Sequence, residues 1–176
     1  MRAKELCMAA LFAALTAAGS FIRIPLGVST MTLQLLFTAM AGVLLDARTA
    51  ALSQAVYVAL GLLGLPVFTQ GGGIGYLLEP TCGFLLALPA AAYVIGRLAK
   101  KRTSRGRIAL SCAAGFCVVY AVGLPYMAAV CNLYLGQAMD ARAVFAAGMA
   151  PFLLGDALKI ALCAAVCPQI AKRIQI

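Results

Sequence analysis

Histidine and tryptophan are absent from the 176 residues, and aspartate and glutamate together number only 5. Without histidine the chain lacks the commonest general base and the commonest metal ligand, so most hydrolytic and metal-dependent chemistry has no residues to work with. Charge of either sign is scarce: 11% of residues are charged, against roughly a quarter in soluble domains. No G-x-x-x-x-G-K-[ST] sequence occurs, which excludes a P-loop ATPase within these residues. The 7 cysteines (Cys7, Cys82, Cys112, Cys117, Cys131, Cys163, Cys167) include no C-x-x-C pair and mostly sit inside apolar runs. They read as small packing residues rather than a disulfide or metal framework.

What is present is apolar. The apolar set makes up 64% of the chain and the mean hydropathy is +1.01, so a bilayer has to be its solvent. No hydrophilic block is large enough for a second unit, and residues 1–176 read as a single integral membrane domain. Six segments are apolar enough to cross: Leu6 to Ile22, Met31 to Leu45, Ala50 to Leu65, Gly83 to Leu98, Ile108 to Cys131 and Val144 to Ile170. The expected fold is an all-α bundle of six transmembrane helices. A crossing takes roughly 20 residues, so the short second and fourth segments predict that neighbouring loops fold into the mouth of the bundle. The basic, apolar N-terminus imitates a signal peptide, but its apolar run continues through most of a bilayer and reads as an uncleaved first helix.

A net charge of +9 would suggest nucleic acid in a soluble protein. Here the basic residues collect at segment ends, as in the run Lys100-Lys101-Arg102-Thr103-Ser104-Arg105-Gly106-Arg107, which reads as a cytoplasmic loop facing lipid headgroups, with no nucleic-acid partner. With the N-terminus inside, Arg2, Lys4, Arg48, Arg97, Lys100, Lys101, Arg102, Arg105, Arg107, Lys172 and Arg173 are cytoplasmic. Only Arg23 and Arg142 are then outside, and Lys159 lies within a helix. That bias predicts that both termini are cytoplasmic.

Three loops then face outward: Arg23 to Thr30, Pro66 to Cys82 and Asn132 to Arg142. The middle one carries Gly71-Gly72-Gly73-Ile74-Gly75-Tyr76 and closes on Glu79-Pro80-Thr81. Its glycines allow main chain to approach a ligand closely, which makes Gly73 and Tyr76 candidate contacts. Thr32 and Gln34 at the start of the second segment, and Glu79 at the end of the loop, are polar positions at the same end of the bundle.

Asp156 and Lys159 are the most informative pair. Pro151 suits a first helical turn, so both lie about one to two turns into the sixth helix, and a spacing of three puts them on one face. A charge at bilayer depth costs at least about 2.5 kcal/mol, so the pair must face the interior. A carboxylate beside an ammonium suits a small ligand with both donors and an acceptor, such as a cyclic urea. A ligand carboxylate at Lys159 is the competing pose. The first segment also carries small residues at four-residue spacing, Ala9, Ala13 and Ala17 and in parallel Ala10, Ala14 and Ala18, a face suited to close helix packing within the bundle or against a partner.

Several motifs in order over nearly the whole chain resemble one family. They are Ile24-Pro25 through Thr32-Leu33-Gln34, Ala41-Gly42-Val43-Leu44-Leu45, Gly61-Leu62-Leu63-Gly64-Leu65-Pro66-Val67-Phe68, the glycine-rich loop, Pro80-Thr81-Cys82-Gly83-Phe84-Leu85, Ala91-Ala92-Tyr93-Val94-Ile95-Gly96 and Gly155-Asp156-Ala157-Leu158-Lys159. The chain resembles the biotin-specific capture subunits (BioY) of energy-coupling-factor transporters. It departs from many members at Glu79, Cys82 and Phe84, where they resemble G-P-T-G-G-Y and this chain has Glu79-Pro80-Thr81-Cys82-Gly83-Phe84. The resemblance implies that the chain is not an enzyme, has no cofactor of its own, and binds biotin through Asp156 and Lys159. It further implies a multi-pass protein in the plasma membrane of a prokaryote, partnered by a transmembrane scaffold subunit and two ABC-type ATPases that hydrolyse ATP. The Ala9, Ala13, Ala17 face is similar to the one that meets the scaffold. A stand-alone ion-coupled carrier with Asp156 as the protonated group, or an intramembrane lipid-modifying enzyme, are the other functions to weigh. The second lacks the clustered acids that a metal-bound diphosphate would need.

Overall fold

The structure is a computed structural model that describes residues 3–26, 29–99 and 104–174. Arg2 and the Lys100, Lys101 and Arg102 part of the basic run lie outside the described residues. The chain order is α1 (Ala3–Phe21), β1 (Arg23–Leu26), β2 (Ser29–Thr32), α2 (Gln34–Leu44), α3 (Ala47–Leu62), a 3-10 turn (Ile74–Leu78), α4 (Cys82–Leu86), α5 (Leu88–Leu98), α6 (Arg105–Ala129), a π turn (Val130–Tyr134), α7 (Ala141–Gly148) and α8 (Leu153–Ile174). Three helical stretches, Ala3–Phe21, Arg105–Tyr134 and Leu153–Lys172, are long and apolar enough to cross a membrane, and Gln34–Leu44 and Cys82–Leu98 are shorter apolar stretches. The chain is a helical membrane protein.

Six helical rods match the six apolar segments, with differences at their ends that have local causes. The second begins at Gln34 rather than Met31, because Met31 and Thr32 pair with Ile24 and Arg23 in a small antiparallel hairpin that replaces the expected loop. The fourth is broken between α4 and α5: Pro89 has no N–H to give the Leu85 carbonyl, so the helix is interrupted at Ala87. The sixth does not run unbroken from Val144. It divides into α7 and α8, and Pro151 sits in the turn between them instead of in a first helical turn. Proline at 151 can neither donate to the carbonyl four residues back nor avoid clashing with it. The peptide resumes helical bonding only when Asp156 N donates to Phe152 O at 2.8 Å.

Asp46 starts α3, accepting from Arg48 N at 3.2 Å and Thr49 N at 3.4 Å, and Asp140 starts α7, accepting from Ala143 N at 2.7 Å. α5 is central and packs on α2, α3 and α6, while α8 closes the bundle against α2 and α6. Close approach to α5 depends on missing side chains. A Cβ on Gly42 of α2 or on Gly115 of α6 would collide with Ile95. One apolar cluster joins Phe12, Leu44, Ile95, Ile108 and Phe116, and a second gathers Tyr57, Phe68, Tyr76, Leu85, Leu88 and Val119 around the glycine-rich loop.

Candidate functional site

Asp156 and Lys159 occupy the first two turns of α8, on one face as their spacing requires. Lys159 Nζ lies 2.9 Å from Asp156 Oδ1, and the two residues are 5% and 6% exposed, so the pair is withdrawn from lipid and water. The second carboxylate oxygen, Oδ2, accepts the hydroxyl of Tyr120 from α6. The Tyr120 ring is held edge-on to Phe84, with centroids 6.2 Å apart. Asp156 is thus held between two donors while each oxygen keeps lone-pair capacity, and Lys159 keeps two of its three N–H groups for another acceptor.

These residues lie on the wall of a cavity of about 560 Å³, within the range of roughly 300 to 1,000 Å³ of small-molecule sites. Thr32, Gln34, Tyr76, Asp156 and Lys159, all singled out from the sequence, line it. The apolar part of the wall includes Leu35, Leu85, Leu88, Val119 and Phe152. Gln34 is fixed in place: its Oε1 accepts from Thr32 at 2.8 Å, and its Nε2 donates to the Tyr57 hydroxyl, which in turn donates to Val67 O at 3.0 Å. Ser20 of α1 also reaches Val67 O, at 2.7 Å. The glycine-rich loop is thus tied to α1 and α3 at one carbonyl, and to α2 through Tyr57. Burial pushes the Tyr76 phenol above its ordinary range, so it faces the cavity protonated.

Other sequence candidates fall elsewhere. Gly73 does not line the cavity. It has φ +106°, and its N–H donates to Gly61 O at 2.7 Å, so it shapes the loop from behind. Glu79 is also off the wall, at the end of the 3-10 turn, where its backbone bonds Tyr76 O and Cys82 N. Ala9 and Ala13 are 3% and 5% exposed. They are covered by their own bundle, Ala13 within the cluster that holds Tyr57 and Val58 of α3. The outward row of α1 is Ala10, Ala14 and Ala18. Reasoning from sequence alone misses Tyr120, whose one signal is a polar tip inside an apolar run. It also misses Arg23, Thr69, Gln70 and Thr81 on the cavity wall, which read singly as ordinary loop residues.

The sequence profile described as the BioY family matches residues 1–176. The chain belongs to the BioY family. Similar proteins include the probable biotin transporter BioY of Lysinibacillus sphaericus, 42% identical over 86% of this chain and 79% of that protein. The biotin transporter BioY of Thermotoga maritima is 35% identical over 96% of each chain. Among solved structures, the S-component for biotin from an ECF-type ABC transporter matches with a TM-score of 0.81 and 26% identity, covering 96% of this chain and 91% of that one. BioY membership places the chain among transport proteins rather than catalysts. The helical architecture expected from the apolar segments is the S-component fold.

Proposed function

We propose that this BioY protein captures biotin from the outer side of the membrane and hands it inward as the substrate-binding subunit of an ATP-driven ECF transporter. The observation that carries this reading is the buried Asp156–Lys159 pair in an otherwise largely apolar cavity. A cyclic urea presents N–H donors and a carbonyl side by side. Its N–H groups suit the spare lone pairs of Asp156, its carbonyl suits the free N–H groups of Lys159, and the apolar wall suits the fused thioether ring and its alkyl chain. The similar BioY proteins are named as biotin transporters and the matched structure is an S-component for biotin, which supports the same ligand.

Asp156, Lys159, Thr32, Gln34 and Tyr76 are proposed to act at the ligand, while Gly73 and Glu79 shape the loop above it. The transmembrane scaffold subunit and two ABC-type ATPases supply the energy, since these residues hold no P-loop. Docking on the scaffold is assigned to α1, through the outward row Ala10, Ala14 and Ala18, the row that the bundle leaves uncovered. The proposed setting is the plasma membrane of a prokaryote, with both termini cytoplasmic as the charge bias requires. Calorimetry on the purified protein tests the ligand: biotin should bind far more tightly than riboflavin or thiamine, and equal binding of the three would overturn the reading.

A further inference from the structure

The cavity carries a charge that its buried end does not use. Arg23, Gln70 and Thr81 line it and are exposed, whereas Gln34, Asp156 and Lys159 line it and are buried. It therefore runs from an open rim to a closed base. The acidic and basic side chains on its wall are Arg23 and Lys159 against Asp156, two basic to one acidic. Lys159 and Asp156 neutralise one another at 2.9 Å. Among the described residues no carboxylate forms an ion pair with Arg23, and the Asp156–Lys159 pair is the one seen. The wall thus keeps one net positive charge, and it sits at the rim. Arg23 is itself a lining residue, on the strand that pairs with Met31 and Thr32 at the mouth of the cavity.

We propose that Arg23 is the specificity-determining residue for the ligand's acidic tail, pairing with the carboxylate of a small monoanionic acid whose polar ring rests on Asp156 and Lys159. The inference rests on the biotin reading above and decides between the two poses left open by the sequence. A ligand carboxylate at Lys159 would place a second negative charge beside Asp156 in a closed, poorly solvated base, where like charges disfavour one another. At the rim the same carboxylate meets a guanidinium that no ion pair occupies among the described residues, whose planar fork donates two parallel hydrogen bonds to it at the edge of water. The hydroxyls of Thr69 and Thr81 and the amide of Gln70 line the same cavity and offer neutral donors.

The test compares biotin with biotinamide, which keeps the ring system and loses the charge, on the native protein, Arg23→Gln and Arg23→Lys. The native protein should prefer the acid. Arg23→Gln should bind the acid about tenfold more weakly, with a reduced dependence of the association rate on salt, while its affinity for the amide stays within about twofold. Arg23→Lys, which keeps the charge and loses the fork, should fall between. Retained amide binding shows that the variant is folded. Native-like acid binding by Arg23→Gln, or equal loss of acid and amide, overturns the inference. A native protein that binds acid and amide equally overturns it alone, whereas one that binds neither overturns the biotin reading and this inference together.

Discussion

Tyr120 of α6 donates its hydroxyl to the one carboxylate oxygen of Asp156 of α8 that Lys159 does not hold. The contact crosses between two helices, so it fixes the direction of the Asp156 carboxylate and the rotation of α8 relative to α6. Two donors, one cationic and one neutral, satisfy the carboxylate oxygens where Leu85, Leu88, Val119 and Phe152 make that part of the wall apolar.

Tyr120→Phe removes that hydroxyl and keeps the ring against Phe84. Biotin affinity should fall about threefold to tenfold, since one hydrogen bond to a charged group is lost while Lys159 still holds Asp156. Titration calorimetry beside size-exclusion chromatography checks this. An unchanged affinity would mean that Tyr120 has no part in poising Asp156.

The pair itself separates a ligand-binding role from a purely structural one. Asp156→Ala and Lys159→Ala should each lower biotin affinity about tenfold to a hundredfold or more, while the protein still elutes as a single species. Lys159→Ala leaves the buried Asp156 with only the Tyr120 donor and takes away the cation that would meet the ligand carbonyl. If the pair merely held helices together, the singles would misfold, and the double change Asp156→Asn with Lys159→Met would restore folding and binding.

Gly61→Ala tests the wall indirectly. A Cβ at Gly61 would collide with the ring of Phe68, which is 1% exposed and packs against Tyr57 and Tyr76 at centroid distances of 5.6 Å and 4.7 Å. Overpacking of this kind costs about 1–3 kcal/mol, so thermal unfolding in detergent should move to lower temperature. Biotin should recover part of the loss by binding the folded form. Unaltered unfolding would show that the Phe68 ring can leave its place freely.

Orientation is open to chemical labelling. A cysteine at Ser104, exposed at the start of α6, should react with impermeant reagents only from the cytoplasmic side. The background can be simpler than a cysteine-free chain: Cys7 and Cys117 are exposed and need replacing, whereas Cys82, Cys112, Cys131, Cys163 and Cys167 are buried and can stay. Labelling of intact cells at position 104 would reverse the proposed topology.

The sequence by itself determined the solvent, the number of helical rods and the chemistry of the buried pair, because each depends on residues close in the chain. Long apolar runs select a bilayer, and a spacing of three puts Asp156 and Lys159 on one face whatever surrounds them. Thr32, Gln34 and Glu79 could be gathered as polar positions at one end of the bundle because loop connectivity already places them there, and of the three Thr32 and Gln34 line the cavity. What only the tertiary structure decided is how each rod is rotated and where it breaks. The two alanine rows of α1 are equivalent in sequence, and packing against α2 and α3 turns Ala9 and Ala13 inward while leaving Ala10, Ala14 and Ala18 outside. Pro151 is acceptable both as a helix start and as a break, and the turn after α7 selects the break. Tyr120 meets Asp156 across 36 residues, and Arg23 reaches the cavity rim through a hairpin that no apolar periodicity marks. These relationships arise from side chains interlocking between elements distant in the chain, and local spacing carries no record of them.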